Sequence, residues 1–519
     1  MTESRDRPRH MAPRPGAVGG VAPPHRGPAG EPAGDEDGDG DGDGPRRRRP
    51  GWLAPAALGL VAVAAAVGAL LLDRQPDTAE IGADATPVTP VLSARRAPEI
   101  LAAPVADRRL ATRLQGWLGA SPAGSCLVVE SEGREVYGHN PVLPVTGAST
   151  QKLLTATGLL LALGPDATFE TEAVAAEPPQ GGVVAGDLFV VGGGDAALAT
   201  ADWPLLSPGD RPKAIHDVDA LAQAIAAAGV TRIDGGVVGD GGRYDGERYQ
   251  PSLAPRLIDQ DQVGPIGGLM VNDGFGAFST ERSLASTVPA DDTAADFARV
   301  LTERLAAHGV AVAGAPRSGV APDGSAPVAT LTSPPLRQIV GEMLANSDNE
   351  TAEAAMKEIG LATAGEGSFA AGAAGLTQLL TDAGVPMEGV RVVDGTGLTT
   401  EDALTCRTLV DTLSREETGP VVREGLAVAG QTGTLEDRFG GTTAAGRLRA
   451  KTGTLRNVSA LAGDVQTVPG GAVRFAYVAN VPDPDTVTFE EVGLGGLADI
   501  LLTYPEGVDV AVLAPLPAD

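Results

Sequence analysis

Residues 51–72 form a run of 22 residues without a charged side chain, and residues 46–49, immediately before it, are all arginine. An apolar run of that length crosses a hydrocarbon layer of roughly 30 Å as one helix. Cationic residues on its N-terminal flank stay on the cytoplasmic side, which sends everything after residue 72 outward. The run therefore predicts a signal-anchor helix in the cell membrane and a globular part that folds outside it. The competing expectation is a secretory leader, cut at the small-x-small sequence Ala83-Asp84-Ala85. Against cleavage stand the length of the run and the 45 residues ahead of the basic cluster. Residues 1–50 carry proline, glycine and alternating acid and glycine, too little apolar surface to offset ordering, and are predicted to be a disordered tail. Residues 73–104 are Pro/Ala-rich and read as a spacer.

The formal charge of −28 lies entirely beyond the apolar run, because residues 1–50 hold nine arginines and nine acids. An acidic globular part argues against a nucleic-acid partner, since phosphate binding needs clustered Lys and Arg. Two cysteines, Cys126 and Cys406, cannot build a disulfide framework. They are compatible with one bond in an oxidising compartment, and equally with two buried thiols. Five scattered histidines and no ligand spacing give metal catalysis little support, and no cofactor is expected.

Periodicity predicts a helix over 107–118, then a hairpin of strands 126–130 and 135–137 turning at Ser131-Glu132-Gly133. A helix over 150–163 follows, stopped by Gly164-Pro165. Between about 172 and 335 the texture changes to short strands, such as 187–191 and 235–238, separated by Gly/Asp turns, with helical stretches at 216–228 and 294–308. From Leu336 a long helical run returns, then strands over 460–467 and 473–481 and a closing helix near 489–502. The fold class is α/β (α+β), with residues 105–171 and 336–519 as one domain and residues 172–335 inserted in it.

Three short motifs occur in order: Ser149-Thr150-Gln151-Lys152, Ser347-Asp348-Asn349 and Lys451-Thr452-Gly453. Each alone is an ordinary cap, turn or strand end. Lysine usage sharpens them. Of 39 basic residues only four are lysine, Lys152, Lys213, Lys357 and Lys451, and two of the four fall in these motifs. A guanidinium cannot give up its proton near neutral pH, whereas a buried ammonium can. A lysine kept in an arginine-biased chain is what general-base work requires. Ser149 and Lys152, three apart at a helix start, share one face. The helix N-terminus offers free N–H groups to a developing oxyanion. The tripeptide Ser347-Asp348-Asn349 is placed in a loop between two helices. Lys451 to Leu455 is placed at the opening of a strand, where Gly453 would admit a substrate backbone. A near copy, Gln431-Thr432-Gly433-Thr434-Leu435, lacks the lysine and is set aside as a decoy.

With these residues the chain resembles the D-alanyl-D-alanine carboxypeptidase/endopeptidase branch of low-molecular-mass penicillin-binding proteins, whose catalytic domain is transpeptidase-like, related to serine β-lactamases, and carries a large insertion. The resemblance covers roughly residues 105–505. Leu163 to Asp166 with Phe169-Glu170-Thr171, the segment Gly186 to Asp195, and Asp394-Gly395-Thr396-Gly397-Leu398 also look like this family; Gly147 and Thr396 depart from its usual Pro and Ser. The resemblance implies a serine D,D-peptidase acting on peptidoglycan stem peptides and acylated by β-lactams. It implies that Ser149 is the nucleophile, Lys152 the base and Ser347 a proton relay. It implies that Asn349 binds the substrate amide, Lys451 supplies positive potential, Thr452 and Thr454 hold its carboxylate, and the N–H groups of Ser149 and Thr454 form the oxyanion site around Gly453. The alternatives are a membrane-anchored serine β-lactamase and a catalytically silent wall-binding protein. The 198 residues between Ser149 and Ser347 argue against the first, and the complete motifs against the second.

Overall fold

A computed structural model describes residues 98–203, 216–279, 287–483 and 485–506, the side chains of 98–102 excepted. The chain divides into two compact units, 1–88 and 89–519, and every described residue belongs to the second. The expected tail, the apolar run 51–72 and most of the spacer lie outside the described residues. Among the described residues no helix is long and apolar enough to cross a membrane.

Helix α1 (Pro98–Leu118) leads into strands β1 (Gly124–Ser131) and β2 (Arg134–His139). Their turn uses Glu132 and Gly133, both at positive φ, the conformation a tight two-residue hairpin turn requires. A single 3₁₀ turn, Ala148–Gln151, precedes α2 (Lys152–Leu163), so the α-helix begins two residues later than its pattern suggested. Then come β3 (Glu170–Ala175), β4 (Leu188–Val191), α3 (Val218–Ala227), β5 (Val237–Asp240), α4 (Thr293–Ala307), β6 (Arg317–Ser318) and β7 (Ala326–Thr332). The chain continues with α5 (Leu336–Asn346), α6 (Asn349–Ala364), α7 (Phe369–Asp382), α8 (Cys406–Ser414), β8 (Ala427–Val428), β9 (Leu448–Leu455), β10 (Val458–Gln466), β11 (Ala472–Asn480) and α9 (Leu494–Leu502).

Six strands form an antiparallel sheet in the order β8-β9-β10-β11-β1-β2. Successive side chains along them point to opposite faces, as a period of two requires. Cys126, Val128, Ala460, Ala462, Ala476 and Val478 face a core shared with α2 and α5–α8. Leu127, Val129, Leu461, Val465, Phe475 and Tyr477 face a second core under α1 and α9. Both faces are covered, so the strands read as continuous apolar runs. Each fully buried Leu or Phe there contributes about 1.5–3 kcal/mol.

A five-stranded mixed sheet, β6-β5-β4-β3-β7, lies under α3 and α4 with a core of its own. The stretch between it and α4 does not stand apart: Tyr244, Leu253, Leu257, Val263, Ile266 and Met270 join the first core. Lys357, wholly buried in α6, pairs with Asp245, and its ammonium lies 4.2 Å from the Phe369 ring centroid.

Cys126 and Cys406 are disulfide-bonded. The sequence left the pairing open. In the structure β1 and the first turn of α8 pack face to face with Cα atoms 5.9 Å apart, within bonding range, and both residues are fully buried.

Candidate active site

The turn that carries Ser149 is held from three sides. Asn480, the last residue of β11, donates its side-chain amide to Thr146 O and accepts from Thr146 N, both at 2.9 Å. Thr150 closes the turn through its hydroxyl to Gly147 O at 2.7 Å. At Gly147 a Cβ would meet Leu404 Cδ2 at 2.4 Å, so glycine at this position accommodates the neighbouring leucine. Ala148 sits at φ +47°, a sparsely populated conformation for a residue with a Cβ, which the surrounding packing enforces.

Ser149 stands partly exposed on that turn, with Lys152 beneath it. The Lys152 ammonium is fully buried and donates to Ser149 Oγ at 3.2 Å, Asn349 Oδ1 at 2.7 Å and Thr396 O at 3.1 Å. Burial pulls its pKa down to about 8, while the carboxylates of Asp394, Asp348, Glu353 and Glu350 act the other way.

Ser347 ends α5 in the left-handed conformation, and Asp348 caps α6 by accepting from Thr351 N at 3.0 Å. The two helices are thus separated by two residues only, and the strained corner presents Ser347 and Asn349 on one side. Asn349 spends its amide nitrogen on Gln262 O, at 2.6 Å, so a residue far along the chain fixes its orientation.

The third motif corrects an expectation. Lys451-Thr452-Gly453 does not open its strand; β9 starts at Leu448, and the motif lies in its middle. Pairing explains why. β8 stops opposite Arg449 and Ala450, whereas β10 pairs as far as Leu455, so from Lys451 onward the outer edge of β9 is not paired by β8. Gly453 is needed for the protein's own backbone: a Cβ there would meet Gly147 O at 2.5 Å and Thr150 Cγ2 at 3.2 Å. Glycine lets β9 press against the nucleophile turn. Lys451 is fully buried, its ammonium on Thr452 O at 3.0 Å. Burial and the charge of Lys152 hold its pKa well below the usual lysine range.

Ser149, Ser347, Asn349, Thr452 and Thr454 line one cleft of about 500 Å³, with Lys152 and Lys451 buried beneath its wall. Gly433, Thr434, Asp437 and Arg438 line it too. The segment set aside as a decoy is therefore part of the site, and the Thr452 hydroxyl donates to that of Thr434 at 2.9 Å. The near copy supplies part of the cleft wall.

Sequence reasoning also gave no role to the acids around Lys152. Asp394, buried, accepts from Thr396 N at 2.9 Å and Thr399 N at 2.8 Å, shaping the loop whose Thr396 carbonyl accepts a hydrogen bond from the Lys152 ammonium. Next to it, Asp402 is pushed up to about 10 by burial and by the Asp394 carboxylate. Glu353, one helical turn beyond Asn349, is held well above the carboxylate range by burial and by Asp394. Carboxylate oxygens of Asp273, Asp348 and Glu350 come within 4.8 Å of one another, the one grouping among the described residues suited to a cation. Each already takes a hydrogen bond, from Trp203 Nε1, Thr351 N and Gly264 N respectively.

The model of the D-Ala-D-Ala carboxypeptidase 3 (S13) family matches residues 109–288 and 279–494. Carboxypeptidase DacB of Mycolicibacterium smegmatis is 31% identical over 83% of this chain and 92% of its own. A D-alanyl-D-alanine carboxypeptidase of Actinomadura sp. is 28% identical over 70% of this chain and 78% of its own. The crystal structure of penicillin binding protein 4 from Haemophilus influenzae superposes with a TM-score of 0.59 at 18% identity, covering 75% of this chain and 98% of that one. It shares the mixed α/β fold.

Proposed function

We propose that this chain, which belongs to the D-Ala-D-Ala carboxypeptidase 3 (S13) family, hydrolyses D-alanyl-D-alanine bonds of peptidoglycan stem peptides through an acyl-enzyme on Ser149. It is a serine-type D-Ala-D-Ala carboxypeptidase. The observation that carries the assignment of the nucleophile is the wholly buried Lys152 ammonium 3.2 Å from Ser149 Oγ.

With a pKa near 8, about a tenth of Lys152 is neutral at pH 7, enough to accept a proton in the transition state. In our scheme Ser149 Oγ gives its proton to Lys152 Nζ as it bonds to the carbonyl carbon. The resulting oxyanion is received by the N–H groups of Ser149 and Thr454. Collapse breaks the C–N bond, and the proton returns through Ser347 to the leaving amine. Asn349 orients both Lys152 and the substrate amide, Gly453 lets β9 reach the turn, and Thr452 and Thr454 receive the carboxylate. Lys451 lends positive potential from below. Water then enters by the same route and releases the acyl group, restoring Ser149. A β-lactam opens on Ser149 in the first step and leaves slowly, its amine remaining tethered.

We assign residues 105–171 and 336–519 to the catalytic domain and 172–335 to the insertion. We place the enzyme at the outer side of the cell membrane, held by residues 51–72; support comes from the apolar run and its arginine flank.

The test is labelling by a fluorescent penicillin, together with release of D-alanine from a D-Ala-D-Ala peptide. Wild type should be labelled and Ser149→Ala should not. A wild type that neither takes the label nor releases D-alanine would overturn the assignment.

A further inference from the structure

The cleft wall carries a guanidinium that acyl transfer does not use. Arg438 lines the cleft with Thr434, Thr452 and Thr454. Its guanidinium carbon lies 4.5 Å from the Phe489 ring centroid, and Phe489 is in turn braced edge-on by Phe439 at 5.5 Å. Among the described residues the Arg438 side chain has no ion pair and no hydrogen bond, in contrast to Arg243 with Glu358 or Arg415 with Asp411. Asp437, exposed beside it at the cleft rim, makes no ion pair with it. A guanidinium resting on an aromatic face keeps its in-plane N–H groups pointing outward, ready for a planar acceptor.

The other cations of the site are committed elsewhere. Lys152 and Lys451 are fully buried, with their ammonium groups on protein oxygens. Arg438 is thus the cleft's accessible positive charge, and the Thr452–Thr434 hydroxyl pair shares the wall with it. An Arg fork beside hydroxyls fits a carboxylate, which accepts two parallel N–H bonds.

We propose that Arg438 is a specificity residue that binds the free α-carboxylate of the residue on the leaving side of the scissile bond. The inference rests on the peptidase function proposed above and adds the group that reads the substrate's terminus.

The experiment compares two substrates on the full chain: diacetyl-L-lysyl-D-alanyl-D-alanine and its C-terminal amide. For Arg438→Gln, kcat/KM on the carboxylate should fall roughly 10- to 100-fold, while the amide changes less than about threefold. Arg438→Lys, which keeps the charge but not the fork, should fall in between. Equal losses on both substrates, or no loss on the carboxylate, would sink the proposal. Should Arg438→Gln not fold, the lysine variant decides by the same ratio. A wild type inactive on both substrates and unlabelled by penicillin overturns the parent function; an active wild type with no carboxylate preference overturns only the role of Arg438.

Discussion

The hydroxyl of Thr452 donates to that of Thr434 at 2.9 Å, so two nearly identical Thr-Gly-Thr-Leu runs meet across one cleft. The contact fixes the hydroxyl that we place against substrate. Thr434→Val keeps the volume and removes the acceptor. Penicillin acylation should slow about 3- to 10-fold, as expected for one neutral hydrogen bond, with little change in melting temperature. Unchanged acylation would leave Thr434 without a part in the reaction.

The buried lysine sets a pH profile. Lys152 must be neutral to take the Ser149 proton, and its pKa of about 8 places the change within reach of experiment. The acylation rate should rise about tenfold per pH unit below that value and level off above it. Among the carboxylates holding the charge on Lys152, Asp394 is the largest. Asp394→Asn should therefore move the inflection to lower pH. Stopped-flow acylation between pH 5.5 and 9.5 checks both statements, and a flat wild-type profile would remove Lys152 as the base.

Asp402 makes a stability prediction of definite sign. Its folded-state pKa, about 10, lies above the usual 3.8, so the folded protein binds a proton that the unfolded chain releases. The associated stability is fully present below about pH 4 and is lost as pH rises toward 10. Asp402→Asn, neutral throughout, should flatten that decline. Urea unfolding of both proteins at pH 5 and pH 8 measures it: the variant should gain on wild type at the higher pH.

The disulfide closes a span of 280 residues between β1, next to the β2 edge of the sheet, and the helix α8 packed on it. The double variant Cys126→Ser, Cys406→Ser should lose about 2–5 kcal/mol in chemical unfolding. Because both sulfurs are wholly buried, native wild type should resist reduction unless it is first partly unfolded. Equal stability of the variant would show that packing alone holds α8 on β1.

Local pattern made much of the frame legible. The β1–β2 hairpin followed from alternation and a Glu-Gly turn, and α2 from its leucines and the Gly164 stop. The corner at Ser347 followed from two helical patterns that could not be continuous. The lysine argument extended further than its two motifs: Lys152, Lys357 and Lys451 are all fully buried. What stayed hidden depends on distant partners. The bond between Cys126 and Cys406 requires knowing that α8 lies on β1. Gly453 looked like an opening for substrate because nothing local says that Gly147 fills it. Thr434 was set aside with a segment that lacks a lysine, and Arg438 carried no local signal, although a cleft needs walls as well as a base. Asp394 stood in a segment noted for its resemblance, but nothing local says that the fold sets its carboxylate and the Thr396 carbonyl beside Lys152.

The order of strands has a consequence for when this catalyst can exist. β1 is made early, yet its neighbour in the sheet is β11, which ends at Asn480 and grips Thr146 just ahead of the serine. The nucleophile turn is also pressed by β9, and Asn349 is oriented by Gln262. A chain still emerging from synthesis therefore lacks the partners that fix the serine turn and Asn349 in the folded protein. The fixed geometry around Ser149 arrives together with the final strand.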